Sequence, residues 1–160
     1  MSVVVERAEL TEPDVAAIIA THRAHCRAIS PPESCHVMAA DELAEAGVAL
    51  WVARSAGAAV AIGALQPLGE DEGEVKSMHT LAAARGKGAG AAILHAIVEE
   101  AGRRGYRRLS LETGTQDEFR AARTLYERNG FEECPPFGRY RLDPLSTFYT
   151  KRLEQPEGAL

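Results

Sequence analysis

The sequence predicts an α/β protein: a mixed sheet with helices on both faces. Three observations lead there. Short apolar or β-branched runs of strand length alternate along the chain with segments whose apolar residues recur at helical spacing. Two of those runs, 48–53 and 58–65, are separated by Ser55, Ala56 and Gly57, which marks a hairpin. A glycine-rich loop at 85–90 joins a strand to the most regular helical segment. The resulting order is β-α-α-β-β-β-α-β-α-β-β.

Val3, Val4 and Val5 form the first expected strand. Thr11-Glu12-Pro13-Asp14 opens the first helix, with Thr11 as candidate N-cap, a proline where a missing N–H is harmless, and acids at the positive end of the helix dipole. Ser30-Pro31-Pro32 stops that helix, because proline lacks the donor and clashes with the preceding turn. A second helix is expected over 35–46, ended by Gly47. After the hairpin comes an acidic loop, 67–73, and a strand over 74–81. Ala91, Leu94, Ile97, Val98 and Ala101 then fall at helical spacing, and Arg103, Arg104 and Gly105 suit a helix C-terminus. A strand over 107–113, a helix over 117–129 stopped by Gly130, and short strands near 131–133 and 147–152 complete the order.

A chain of 160 residues is long enough to bury an ordinary core, so one domain is expected over 1–153, followed by a short C-terminal tail, 154–160. With 46% hydrophobic and 26% charged residues it is globular in composition. The net charge of −5 argues against general nucleic-acid binding, which needs a basic surface. Cys26, Cys35 and Cys134 are odd in number and widely spaced, and suggest neither a disulfide framework nor a zinc pattern. The apolar run at 3–5 is too short for a signal peptide, and nothing approaches a membrane span, so no membrane partner and a cytoplasmic location are expected.

Arg85-Gly86-Lys87-Gly88-Ala89-Gly90 reads as an anion site. A helix N-terminus leaves unpaired N–H groups, and glycines let backbone approach a phosphate closely. Arg85 and Lys87 add charge. A P-loop would need Ser or Thr after Gly-Lys, and a dinucleotide fingerprint has another spacing and sits near the first strand.

Residues 78–90 resemble the core motif of the GNAT superfamily of acyl-CoA N-acyltransferases, with Ala82 where a proline is usual. Residues 122–131, Ala-Arg-Thr-Leu-Tyr-Glu-Arg-Asn-Gly-Phe, are similar to that family's downstream helix, although Phe119 stands where an asparagine often precedes it. Residues 30–34, 73–78 and 136–140 further resemble a bacterial YsnE-type subgroup of N-acetyltransferases. The resemblance implies a mostly antiparallel sheet, acetyl-CoA as co-substrate without a metal, and direct transfer of acetyl to a bound amine. It implies that the backbone of Met78, His79, Thr80 and Leu81 meets the pantetheine and polarises the thioester oxygen. Its pyrophosphate would lie on Arg85, Gly86, Lys87, Gly88, Ala89 and Gly90. Glu74 stands eleven positions before Arg85 (85 − 74), where relatives carry a general base; a solvated strand-edge charge is the competing reading. Tyr126 matches a tyrosine that protonates the leaving thiolate, against ordinary aromatic packing.

On the acceptor side the candidates are Glu33 and His36, between the first two helices, with Lys76, Arg139, Tyr140 and the neighbouring Arg141 for an anionic acceptor. Capping turns, local ion pairs and exposed loop charge are their plainer readings. His22, His25 and Cys26 suggest metal ligation, but no completing ligand set is visible. A primary amine on a small molecule is the expected acceptor. A protein N-terminus or lysine, or a non-catalytic acyl-CoA sensor, are the alternatives, and a homodimer is compatible with the sequence.

Overall fold

The computed structural model describes residues 2–153; the tail expected over 154–160 lies outside the described residues. The strands are β1 (Val4–Ala8), β2 (Ala49–Ser55), β3 (Ala58–Pro67), β4 (Glu72–Thr80), β5 (Arg108–Gly114), β6 (Glu132–Cys134) and β7 (Ser146–Arg152). The helices are α1 (Pro13–Ile29), α2 (Ala40–Glu45), α3 (Ala89–Arg103) and α4 (Arg120–Arg128), with 3-10 turns at Pro32–Ser34, Ala82–Ala84 and Asp117–Phe119. Strands and α-helices follow the expected order. The sheet order is β1-β2-β3-β4-β5-β7-β6. Pairing is antiparallel for β1–β2, β2–β3, β5–β7 and β6–β7, and parallel for β4–β5. No helix among the described residues is long and apolar enough to cross a membrane.

Several boundaries differ from expectation. The second helix starts at Ala40, not near 35. Cys35, His36 and Val37 are poor helix formers, and the working start signal lies later, where the Glu42 carboxylate accepts the Ala39 N–H at 3.0 Å. Helix α1 takes Glu12, not Thr11, as its N-cap, immediately before Pro13. The acidic loop is shorter than expected, because Leu68 N–H donates to Glu72 O at 2.9 Å and strand geometry begins at Glu72. The helix expected over 117–129 is a 3-10 turn followed by α4.

The chain forms two compact units. One holds the chain through Gln66 together with Val75–Ile97. In it, α1 and α2 cover one face of the sheet: Val15, Ile18, Ile19 and Leu43 pack on Leu50, Val52, Ile62 and Ala64. Trp51 and Gly63 are cross-strand partners on the opposite face. Helix α3 crosses there so closely that a Cβ on Gly63 would stand 2.5 Å from Ile93 Cγ2, and Met78 Sδ of β4 would be equally near. Arg54 ties β1, β2 and the start of α1 together through Glu6, Glu12 and Asp14, at 2.9, 2.9 and 2.6 Å.

The other unit, among the described residues, holds Pro67–Glu74 and residues 98–153. Here Glu72, Gly73 and Glu74 pair with Arg108, Leu109 and Ser110. The core is Leu109, Leu111, Tyr126, Phe131, Phe148 and Tyr149. The Tyr126 ring meets Phe131 edge-on, with centroids 5.9 Å apart.

Candidate active site

In the first unit, β4 runs into a turn that is held at several points. Leu81 N–H donates to Val60 O and Ala84 N–H to Leu81 O, both at 2.9 Å. Ala82 thus supports this 3-10 turn without the proline usual in the motif. Gly86 and Gly88 follow with φ of 77° and 89°, which side chains rarely adopt. A Cβ on either would meet nothing within 4 Å, so this stretch of backbone faces open space. The first hydrogen bond of α3 runs from Ala92 N–H to Gly88 O at 3.0 Å. The N–H groups of Ala89, Gly90 and Ala91 therefore have no intrahelical acceptor and sit at the positive end of the dipole. This arrangement fits a diphosphate. Arg85 and Lys87 are exposed, and both fold back on the loop: Arg85 Nε donates to Thr80 O at 3.2 Å and Lys87 Nζ to Ala83 O at 3.4 Å.

Within β4, Ser77 has a left-handed backbone, φ 55°, and its Oγ is buried without a hydrogen bond among the described residues. Strain of this kind costs on the order of 1–3 kcal/mol and concentrates at functional sites. Nothing in the sequence marks it, because serine carries no left-handed signal as glycine does. Met78 lies against Gly63, and Leu81 packs on the core beneath α1.

His79 is buried, and its Nδ1 lies 3.0 Å from Nδ1 of His22, so one ring donates and the other accepts. The His25 ring centroid is 6.0 Å from that of His79. Burial, then the neighbouring His79 and His25, pushes the His22 pKa down to about 3. Burial, then Arg85 and His25, pushes His79 down to about 4. Among the described residues, no group of three or more His, Cys, Asp or Glu is arranged to hold a metal ion.

The histidine pair has a stability consequence. In the unfolded chain these histidines take up protons near pH 6.5, whereas the folded pair resists until about 4 and 3. Between those values the unfolded chain binds more protons, so stability falls as pH falls. The Tm is expected to drop by several degrees from pH 7 to pH 5. In a His22→Gln protein, thermal melts at the two pH values should differ by clearly less; an identical drop in both proteins removes the pair as its cause.

In the second unit, Glu74 is 4% exposed, which excludes the solvated strand-edge reading. The Tyr140 hydroxyl donates to Glu74 Oε2 at 2.5 Å, joining two candidates that stand 66 residues apart in the chain. Burial, then the Glu74 charge, raises the Tyr140 pKa, so the phenol keeps the proton it donates. A carboxylate in such a place needs partners of this kind, because desolvation is costly. Tyr126 is buried too, and burial, helped by the Glu112 charge, raises its pKa. Arg139 and Arg141 are exposed on either side of Tyr140. Of the remaining acceptor-side candidates, Glu33 is exposed on the 32–34 turn, while His36 and Lys76 are half-buried.

Residues 46–133 match the acetyltransferase (GNAT) domain family. The chain is 41% identical over 145 residues to the uncharacterized N-acetyltransferase YsnE of Bacillus subtilis, covering 91% of this chain and 96% of that protein. It is 40% identical over 124 residues to an IAA acetyltransferase of Azospirillum brasilense, covering 77% of this chain and 80% of that one. A GNAT family acetyltransferase from Elizabethkingia anophelis, crystallised with acetyl-CoA bound, shares the fold, with a TM-score of 0.70 at 15% identity over 94% of this chain and 98% of its own. Family match, relatives and sheet order agree, and the chain belongs to the GNAT family of N-acetyltransferases.

Proposed function

We propose that this enzyme moves the acetyl group of acetyl-CoA directly to a primary amine on a small molecule. The observation that carries this reading is the buried Glu74 carboxylate held by the Tyr140 hydroxyl. An ammonium must lose a proton before its nitrogen can attack, and a fixed carboxylate receives that proton directly or through one water. The open backbone at Gly86 and Gly88 and the start of α3 hold the pyrophosphate. The acetyl-CoA in the Elizabethkingia anophelis structure supports this choice of co-substrate. Backbone groups of Met78, His79, Thr80 and Leu81 receive the pantetheine, beside the strained Ser77. Lys76, Arg139, Glu33 and His36 contribute to acceptor selection, and Tyr140 serves through Glu74. One catalytic domain spans 1–153, because the family match at 46–133 takes in chain from both compact units. A reducing cytoplasm is its proposed location.

Tyr126 supplies the proton to the departing thiolate. A phenol is protonated at neutral pH, as a donor must be, and burial of Tyr126 holds its proton more firmly still. Tyr126→Phe is expected to lower kcat by about 10- to 1000-fold with little change in acetyl-CoA affinity. Steady-state kinetics with calorimetry check this; weaker acetyl-CoA binding at unchanged kcat assigns Tyr126 to packing.

The reading as a whole is tested by screening amines with acetyl-CoA and following free thiol. The screen includes IAA, for which the Azospirillum brasilense relative is named, and N-terminal and lysine peptides. An N-acetylated small amine is expected. Transfer confined to peptides, or thiol release without any acetylated product, overturns it.

A further inference from the structure

Helix α1 ends in Cys26-Arg27-Ala28-Ile29, and the chain returns through Ser30-Pro31-Pro32-Glu33-Ser34-Cys35. Ser30 N–H caps the helix on Cys26 O at 2.9 Å, and the 3-10 turn closes with Ser34 N–H on Pro31 O at 2.9 Å and Cys35 N–H on Pro32 O at 3.2 Å. Two prolines with fixed φ stiffen this return. Its result is that Cys35 Sγ lies 2.7 Å from Cys26 Sγ. That is closer than sulfur atoms of two thiols ordinarily approach, so little further movement separates the pair from a bond. Both cysteines are thiols in this structure.

We propose that Cys26 and Cys35 form a reversible disulfide that ties the 30–35 return to α1. The oxidant is a small disulfide such as oxidised glutathione. Cys35, the more accessible of the two, attacks it as thiolate and releases one glutathione thiol. Cys26, 6% exposed, then displaces the second glutathione from Cys35. Two cysteine thiols and one glutathione disulfide become one protein disulfide and two glutathione thiols, and the protons lost by the cysteines end on glutathione. Its formation is read without any acceptor substrate.

The test equilibrates the intact protein with glutathione buffers of rising oxidised fraction, followed by thiol titration and peptide mapping under non-reducing conditions. The expected result is loss of two of the three thiols, a linked peptide joining Cys26 to Cys35, and full recovery with dithiothreitol. The Tm is expected to rise by about 5 °C on oxidation. Cys134→Ser should lose both of its remaining thiols in the same way, and Cys35→Ser should form no linked peptide. If fully oxidising buffer yields only glutathione adducts or bonds between molecules, the proposal is overturned. Because the mapping is done on the unaltered protein, it decides the matter even where a cysteine variant folds poorly.

Discussion

Replacing Gly88 with valine is expected to weaken acetyl-CoA binding about 100-fold, a loss of about 2.7 kcal/mol, in a protein that still folds. Gly88 sits at φ 89°, where a β-branched residue is strained by roughly 1–3 kcal/mol. If the variant keeps that φ, the side chain enters the open space beside the loop, where the backbone would meet a phosphate. If it relaxes, the N–H groups of Ala89, Gly90 and Ala91 turn with it. Either route removes hydrogen bonds to a charged group, which are among the stronger ones. Gly88→Ala should fall between the two, since alanine brings the strain with less bulk. Acetylpantetheine, which lacks the diphosphate, should bind wild type and variant alike. Calorimetry on a variant with normal helix content makes the comparison; a Kd within threefold of wild type moves the pyrophosphate elsewhere.

Glu74→Gln is expected to lower kcat/KM for the amine by about 100- to 1000-fold near neutral pH, within the usual range for losing a general base. The amide keeps the size of glutamate, and its carbonyl oxygen can still accept the Tyr140 hydroxyl, so the local fold should persist. What it cannot do is take a proton. Raising the pH should restore part of the rate, because more of the amine is then already neutral. Acetyl-CoA affinity should stay unchanged. A variant with the wild-type pH profile and most of its rate would show that the amine deprotonates through water, leaving Glu74 as a buried partner of Tyr140. The family assignment would survive that result, since it rests on the motifs and the fold.

Much of this was legible in the chain, and the reasons are local. The hairpin between β2 and β3 follows from Ala56-Gly57 between two apolar runs. Helix α3 follows from its apolar spacing, with Leu94, Ile97 and Ala101 all buried as expected. The loop at 85–90 announces itself because glycine alone adopts the dihedrals of Gly86 and Gly88 at no steric cost. The second helix starts at Ala40 and not near 35, because Cys35, His36 and Val37 favour helix weakly and the Glu42 carboxylate caps the Ala39 N–H three residues before it.

The sequence by itself determined the order of elements, the glycine-rich loop and the family, because each is written in spacing and residue type over short stretches. Only the tertiary structure decided that Glu74 is buried and bound by Tyr140, that Ser77 is strained, that His22 and His79 share a hydrogen bond, and that Cys26 meets Cys35. Three of these are meetings of side chains from separate elements or across a chain reversal, and the fourth is a backbone angle imposed on a residue that does not favour it. Local patterning carries no record of either, because contact and strain are set by how the elements pack and not by what each prefers alone.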